Sequence, residues 1–433
     1  QKADEREAEN GRDQHRGAGP AECGFQAPSL RVRARIGWHA GYSALTSPPP
    51  PTETQAGTAI AEQAVSIAAD VGDPAIHGRT LRNAGAAYEA LGARRKAREH
   101  YEQALTLFRT VGDVVNEAAT LGSLGSVYAG LGEHQKALEY FAQALSRFRE
   151  QDKGADVYAT LSNIGSAHLA FGETQKALGY YEESLKLSRA AADRFAQGRT
   201  LGGIATLYHS LGERQKALDY NREAIELQRA LGDTVSESTT LSNMGSVYQS
   251  LGERELARDY YSRALRSFEA AGNRLNIGAA LVNIGSVYAD LLDWPRALEY
   301  YERGLVHLRA VEYRRGEAAA LSSIAAVHNQ RGETQKGLEH LTRALELFRA
   351  DGIRKDEATT LSNIGWAYEK LGETEKALDH YRQSLKLSRE VGDRVNEAAT
   401  LSNAARIVRD RGELREALAL SGEAVGIIES LRT

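Results

Sequence analysis

Hydrophobic and polar positions alternate in one pattern that recurs along most of the chain. Residues 161–178, LSNIGSAHLAFGETQKAL, return in close copies every 40 residues, with the first leucine at Leu81, Leu121, Leu161, Leu201, Leu241, Leu281, Leu321, Leu361 and Leu401. A fixed period in this range predicts a solenoid, in which each unit buries its apolar face against its neighbours. Every unit holds two apolar-periodic stretches. In the first, Leu121, Leu124, Gly125 and Tyr128 recur at helical offsets, and in the second Ala137, Tyr140, Phe141, Ala144 and Phe148 do the same. A turn such as Leu131-Gly132-Glu133 or Leu371-Gly372-Glu373 separates them. Glycine there supplies a left-handed helix stop, and the glutamate suits the positive start of the next helix. The expected unit is a helical hairpin.

Small residues mark where the two helices approach. Gly85, Gly125, Gly165, Gly245, Gly285 and Gly365 recur in the first helix, and Ala97, Ala137, Ala177, Ala217, Ala257, Ala297 and Ala377 in the second. A helical glycine costs about 1 kcal/mol relative to alanine, and close packing is the expected return.

The succession Leu124-Gly125, Tyr128, Ala137, Phe141, Ala144 resembles the tetratricopeptide repeat signature over about residues 57–433. That resemblance implies an all-α, right-handed superhelical solenoid of nine hairpins over residues 75–433, preceded by a half repeat at 57–74 and a poorly ordered arm at 1–56. Leucine stands where the signature has tryptophan, proline is missing near the repeat end, and the unit exceeds the usual length of about 34 residues. Longer helices, similar to those of Pins-type scaffolds, kinesin light chains and bacterial regulators, accommodate the difference. The closing EAVGIIESLRT resembles the junction to a caspase-like peptidase domain of the CHAT class. The regulatory half of a larger signalling or peptidase protein is therefore the alternative to a free-standing scaffold.

Composition narrows the function classes. The chain has 433 residues, 42% hydrophobic and 26% charged, with no apolar run near the ~20 residues of a membrane span. Cys23 is its one cysteine, which removes intrachain disulfides and points to a reducing, cytoplasmic setting. A net charge of -4 gives no bulk attraction to nucleic acid or anionic membrane. The first 50 residues are polar, with a basic-apolar alternation from Leu30 to Trp38 and a proline run closing at Pro51. Within them His15, Cys23 and His39 lack metal-ligand spacing. No sequence motif for catalysis, a cofactor or a metal is present, so the expectation is a non-enzymatic chain with a protein or peptide partner.

In a solenoid, one residue per unit at a fixed offset becomes a row along the surface. Asn83, Asn163, Asn243, Asn283, Asn363 and Asn403 form the first row, with Ser123, Gly203 and Ser323 in the remaining units. The family resemblance implies that this offset faces the concave groove, where an amide can both donate to and accept from the backbone of an extended peptide or partner helix. The competing reading is that the amides cap or bridge neighbouring helices. Trp366, Arg79, Arg199 and Lys370 are the large exceptions among small groove residues such as Ala119, Ser126, Ser166 and Ser286. Trp366 suits either an anchor for a partner side chain or packing on the next unit.

A second row, Arg109, Arg149, Arg189, Arg229, Arg309, Arg349 and Arg389, closes the second helix of most units. It offers phosphates a basic stripe, but Glu117, Glu237, Glu317, Glu357 and Glu397 follow a few residues later and favour structural pairing. The third row is aromatic, Tyr88, Tyr128, Tyr208, Tyr248, Tyr288 and Tyr368 facing Tyr140, Tyr180, Tyr220, Tyr260 and Tyr300, with His168 and His328 in tyrosine positions; its spacing predicts core. At the end of the sequence, Ile427, Ile428 and Leu431 are expected to form an uncapped apolar edge. A following segment, a partner or end-to-end self-association would cover it.

Overall fold

A computed structural model describes residues 51–431, except 91, 92 and 132. The expectations for residues 1–50, including the alternating stretch, Cys23, His15, His39 and most of the proline run, lie outside the described residues.

The described chain is an all-α repeat solenoid. It runs α1 (Pro51–Val71), α2 (Pro74–Ala90), α3 (Arg94–Val111), α4 (Val114–Gly130), α5 (His134–Glu150), α6 (Gly154–Ala170), α7 (Thr174–Ala190), α8 (Arg194–Ser210) and α9 (Arg214–Leu231). It continues through α10 (Thr234–Leu251), α11 (Arg254–Ala270), α12 (Arg274–Asp290), α13 (Trp294–Ala310), α14 (Arg314–Gln330), α15 (Thr334–Asp351), α16 (Arg354–Lys370), α17 (Thr374–Val391), α18 (Arg394–Asp410) and α19 (Leu414–Ser430). Each even-numbered helix forms a hairpin with the odd-numbered one after it, and α1 packs on α2. Even-numbered helices also approach the next even-numbered helix, α6 to α8 and α16 to α18 most closely. They therefore line the inner face of the array.

The dipeptide Gly-Asp builds the turn between units. Gly112 takes φ 69°, in the left-handed region, and the Asp113 N–H returns to the Phe108 carbonyl at 3.0 Å, closing α3. The Asp113 carboxylate then accepts the Asn116 N–H at 3.1 Å and caps α4. Asp193, Asp233 and Asp393 cap α8, α10 and α18 in the same way. Two residues thus stop one helix and start the next.

Helical spacing places both aromatic rows in the core, but the structure fully buries a different one. Tyr101, Phe141, Tyr181, Tyr261 and Tyr381 are nearly inaccessible, each lying flat on the small residue of its own hairpin. A Cβ added to Gly125 would sit 2.6 Å from the Phe141 ring, which is why glycine occupies that point. The expected rows pack around those rings: Tyr88, Tyr128 and His168 are buried. Tyr208, Tyr248, Tyr288 and Tyr368 and the facing Tyr140, Tyr180, Tyr220, Tyr260 and Tyr300 are half-buried against the core clusters. The rings stack in pairs, for example Tyr128 on Tyr140 at 5.2 Å and Tyr208 on Tyr220 at 5.4 Å. Lys136 and Lys216 lie over the tyrosine faces at 5.2 Å and 4.9 Å. His168 keeps the stack in its unit and binds Glu173 through Nδ1 at 2.5 Å.

The last helix departs from expectation in one respect. Ile427 is buried against Ala398, Leu401 and Ala424, and Ile428 packs beside them. The uncovered residues are Leu414, Leu418, Val425 and Leu431. One face of α19 meets α18, and the opposite face has no further hairpin against it among the described residues.

Candidate binding groove

The asparagine row lies on even-numbered helices, on the inner face. Asn83 is exposed, and Asn163, Asn243, Asn283, Asn363 and Asn403 are half-buried. The side chains of Asn83, Asn163, Asn243 and Asn363 have no hydrogen-bond partner among the described residues. Asn283 Nδ2 reaches Ser242 Oγ only at 3.4 Å, and Asn403 Oδ1 accepts from Arg406 at 3.4 Å. A capping or bridging role leaves amides satisfied, so this geometry leaves them available to a ligand.

The buried ring row adds a second set of polar groups. The Tyr181 hydroxyl meets Ser166 Oγ at 2.9 Å, and the Tyr301 hydroxyl donates to Ser286 Oγ at 3.2 Å. Tyr261 donates to Gln249 at 3.1 Å, Tyr101 to Glu89 at 2.9 Å and Tyr381 to Glu369 at 3.1 Å. These rings pass between helices of the hairpin and deliver their hydroxyls to the even-helix face. Burial pushes the Tyr181 hydroxyl up to about 12, so it remains a protonated donor at neutral pH. The sequence carried a signal for this row in the doublets Tyr180-Tyr181, Tyr260-Tyr261 and Tyr300-Tyr301, of which the second member is the one turned inward.

The large groove residues fall into two kinds. Trp366 packs on hydrophobic clusters of the units on both sides of it, while Lys370 Nζ lies 5.4 Å from its ring centre. Its two readings are therefore compatible: the indole is half-buried and keeps an accessible surface. Arg199 stands beside Asp193, whose Oδ2 accepts the Tyr158 hydroxyl at 2.6 Å. Burial pulls its guanidinium below the usual range, and the Asp193 carboxylate opposes that pull. Further along, Glu369 receives Arg406 at 2.6 Å as well as the Tyr381 hydroxyl. The groove is thus chiefly amide- and hydroxyl-rich, with Glu369 paired to Arg406 and Lys370 set over the Trp366 ring.

The sequence profile of the tetratricopeptide repeat matches residues 76–150, 156–230, 236–309 and 316–390, each match spanning two hairpins. The chain belongs to the tetratricopeptide repeat family. Among solved tetratricopeptide-like structures, a Rap protein complexed with competence and sporulation factor aligns with a TM-score of 0.56 at 16% identity, over 79% of this chain and 98% of that one. Aspartyl phosphate phosphatase F from Bacillus subtilis aligns with a TM-score of 0.51 at 14% identity, over 81% of this chain and 93% of that one. At such identities the likeness concerns the fold alone. No curated protein matches the sequence.

The arginine row of this tetratricopeptide array is occupied by its own carboxylates. Arg109, Arg229, Arg309, Arg349 and Arg389 bind Glu117, Glu237, Glu317, Glu357 and Glu397 at 3.1, 2.7, 2.8, 2.9 and 2.8 Å. Arg149, Arg189 and Arg389 also reach the following odd-numbered helix, at Glu183, Glu223 and Glu423. Each guanidinium staples consecutive units at a helix C-terminus, where a cation is favoured. Among the described residues no group of His, Cys, Asp and Glu is placed to hold a metal ion, and no helix is long and apolar enough to cross a membrane.

Proposed function

We propose that the even-helix face binds an extended peptide or partner helix, and that the chain acts as a non-enzymatic protein-interaction scaffold. One observation carries the reading: asparagine amides recur at one offset on the inner face, and four of them have no partner among the described residues. Uncompensated amides at a spacing set by the repeat suit a ligand with a regular backbone, because each donor and acceptor can meet a peptide group whatever the side chains. Serine and tyrosine hydroxyls between them extend the same chemistry. Trp366 offers an aromatic anchor, and Lys370 and Arg199 local positive charge. Family membership supports a protein partner in general terms.

The arginine row favours this reading over nucleic-acid binding. Its guanidiniums are held by glutamates, and a phosphate would have to displace those pairs.

A selection of displayed random peptides on the full chain, followed by titration of the selected peptide, tests the proposal. In the triple variant Asn243→Ala, Asn283→Ala, Asn363→Ala the affinity is expected to fall at least about tenfold, since each lost hydrogen bond is worth roughly 0.5–1.5 kcal/mol. Undiminished affinity would remove the asparagine row from the account.

A further inference from the structure

A repeat array supplies its own control, because the same position can be compared from unit to unit. Leu131, in the turn between α4 and α5, is 4% exposed, whereas its counterparts Leu211, Leu251 and Leu371 are 45%, 45% and 38% exposed. Asp351, at the end of α15, is 8% exposed, while the residues in its place after α3 and α9, Val111 and Leu231, are 40% and 46% exposed. Arg94 is also buried. Leu131, Leu211, Leu251 and Leu371 are the same residue at the same place in the hairpin, so neither residue type nor the hairpin fold accounts for the burial of Leu131.

What covers them is the array itself, one superhelical turn later. Arg95 Nη2 donates to the Arg349 carbonyl at 3.3 Å across a separation of 254 residues. Arg95, Arg98, Glu99, Leu131 and Glu133 on one side face Asp351 and Gly352 on the other, around a cleft of about 420 Å³. Arg94, Arg95 and Arg314 surround the Asp351 carboxylate with positive charge, and Arg314 Nη1 lies 3.5 Å from it. His134, next along the α4–α5 turn, stands within the field of Lys355 and Arg315 from the opposite edge. The arginines of α3 therefore meet the carbonyl end of α15, where the helix dipole favours cations.

We propose that this contact is a clasp that holds the array closed upon itself, so that a partner enters the inner groove along the axis of the closed turn and from the side only after the clasp opens. The clasp joins the edge formed by α3 and the α4–α5 turn to the edge formed by the α15–α16 turn, six units on. It stands on burial and contacts, and does not depend on what the groove binds.

Small-angle scattering of the full chain tests it with the repeat as control. Leu131→Glu places a charge in the contact and is expected to increase the radius of gyration with helix content unchanged. Leu211→Glu, at the same position of an uncovered turn, is expected to leave the scattering curve as in the wild type. Should Leu131→Glu lose helix content, Arg95→Glu, an exposed substitution at the same contact, reads the same opening. In wild-type chain the amides around residues 131–134 and 351–353 are expected to exchange about tenfold more slowly than those around 211–214 and 231–233. Equal exchange in the paired turns, or helical Leu131→Glu and Arg95→Glu variants that scatter like wild type, would overturn the clasp.

Discussion

Gly202 and Gly203 are neighbours on α8, yet the structure asks different things of them. A Cβ on Gly203 would lie 2.7 Å from the Tyr181 ring, whereas a Cβ on Gly202 meets nothing within 4 Å. Gly203→Ala is therefore expected to lower stability by about 1–3 kcal/mol through overpacking, despite the better helix propensity of alanine. Gly202→Ala is expected to raise it by about 0.5–1 kcal/mol, since only backbone freedom changes. Urea unfolding of the two variants checks this, and shifts of the same sign would mean that the Tyr181 ring is not fixed against α8. At this scale the sequence was readable in part. Recurrent glycine announced close approach, but whether Tyr140 or Phe141 fills the space cannot be decided from spacing, because adjacent residues on a helix both fall near one apolar face. Likewise the asparagine offset was legible from periodicity, while the tyrosine hydroxyls that accompany it depend on the tilt of one helix across another.

A helix in this array is defined by which neighbours it has, and α19 shows the consequence. Leu418 occupies the place that Leu378 holds on α17, but Leu378 is 4% exposed and Leu418 74%. Leu378→Glu is expected to cost at least about 3 kcal/mol, because a packed leucine is lost and a charge is buried. Leu418→Glu is expected to stay within about 0.5 kcal/mol of wild type. Thermal unfolding distinguishes them, and equal losses would show that the outer face of α19 is covered in solution. Hairpins and turns were the most legible level of the sequence, since Gly-Asp, the apolar period and the arginine–glutamate spacing are all local. The apolar edge was legible only as to its helix. Ile427 and Ile428 stand out by hydrophobicity, but the direction in which α18 lies selects Leu414, Leu418 and Val425 as the uncovered face.

For the whole molecule, the solenoid followed from the period, whereas the return of the array onto itself did not. The clasp depends on the small rotation between successive units, summed over six of them. Leu131 is of the same type as Leu211, Leu251 and Leu371, and although Arg95 and Asp351 differ in type from most of their counterparts, nothing in the period says that they meet. The groove and the clasp meet in one geometric claim, that the even-numbered helices are the inner, ligand-bearing side. Photo-crosslinking tests that claim most directly. A selected peptide carrying a photoreactive phenylalanine analogue would be irradiated on the wild-type chain and its attachment points located by mass spectrometry. The expected attachments fall on α10, α12 and α16, near Asn243, Asn283 and Asn363; attachments confined to odd-numbered helices or to α19 would contradict a peptide-binding inner face.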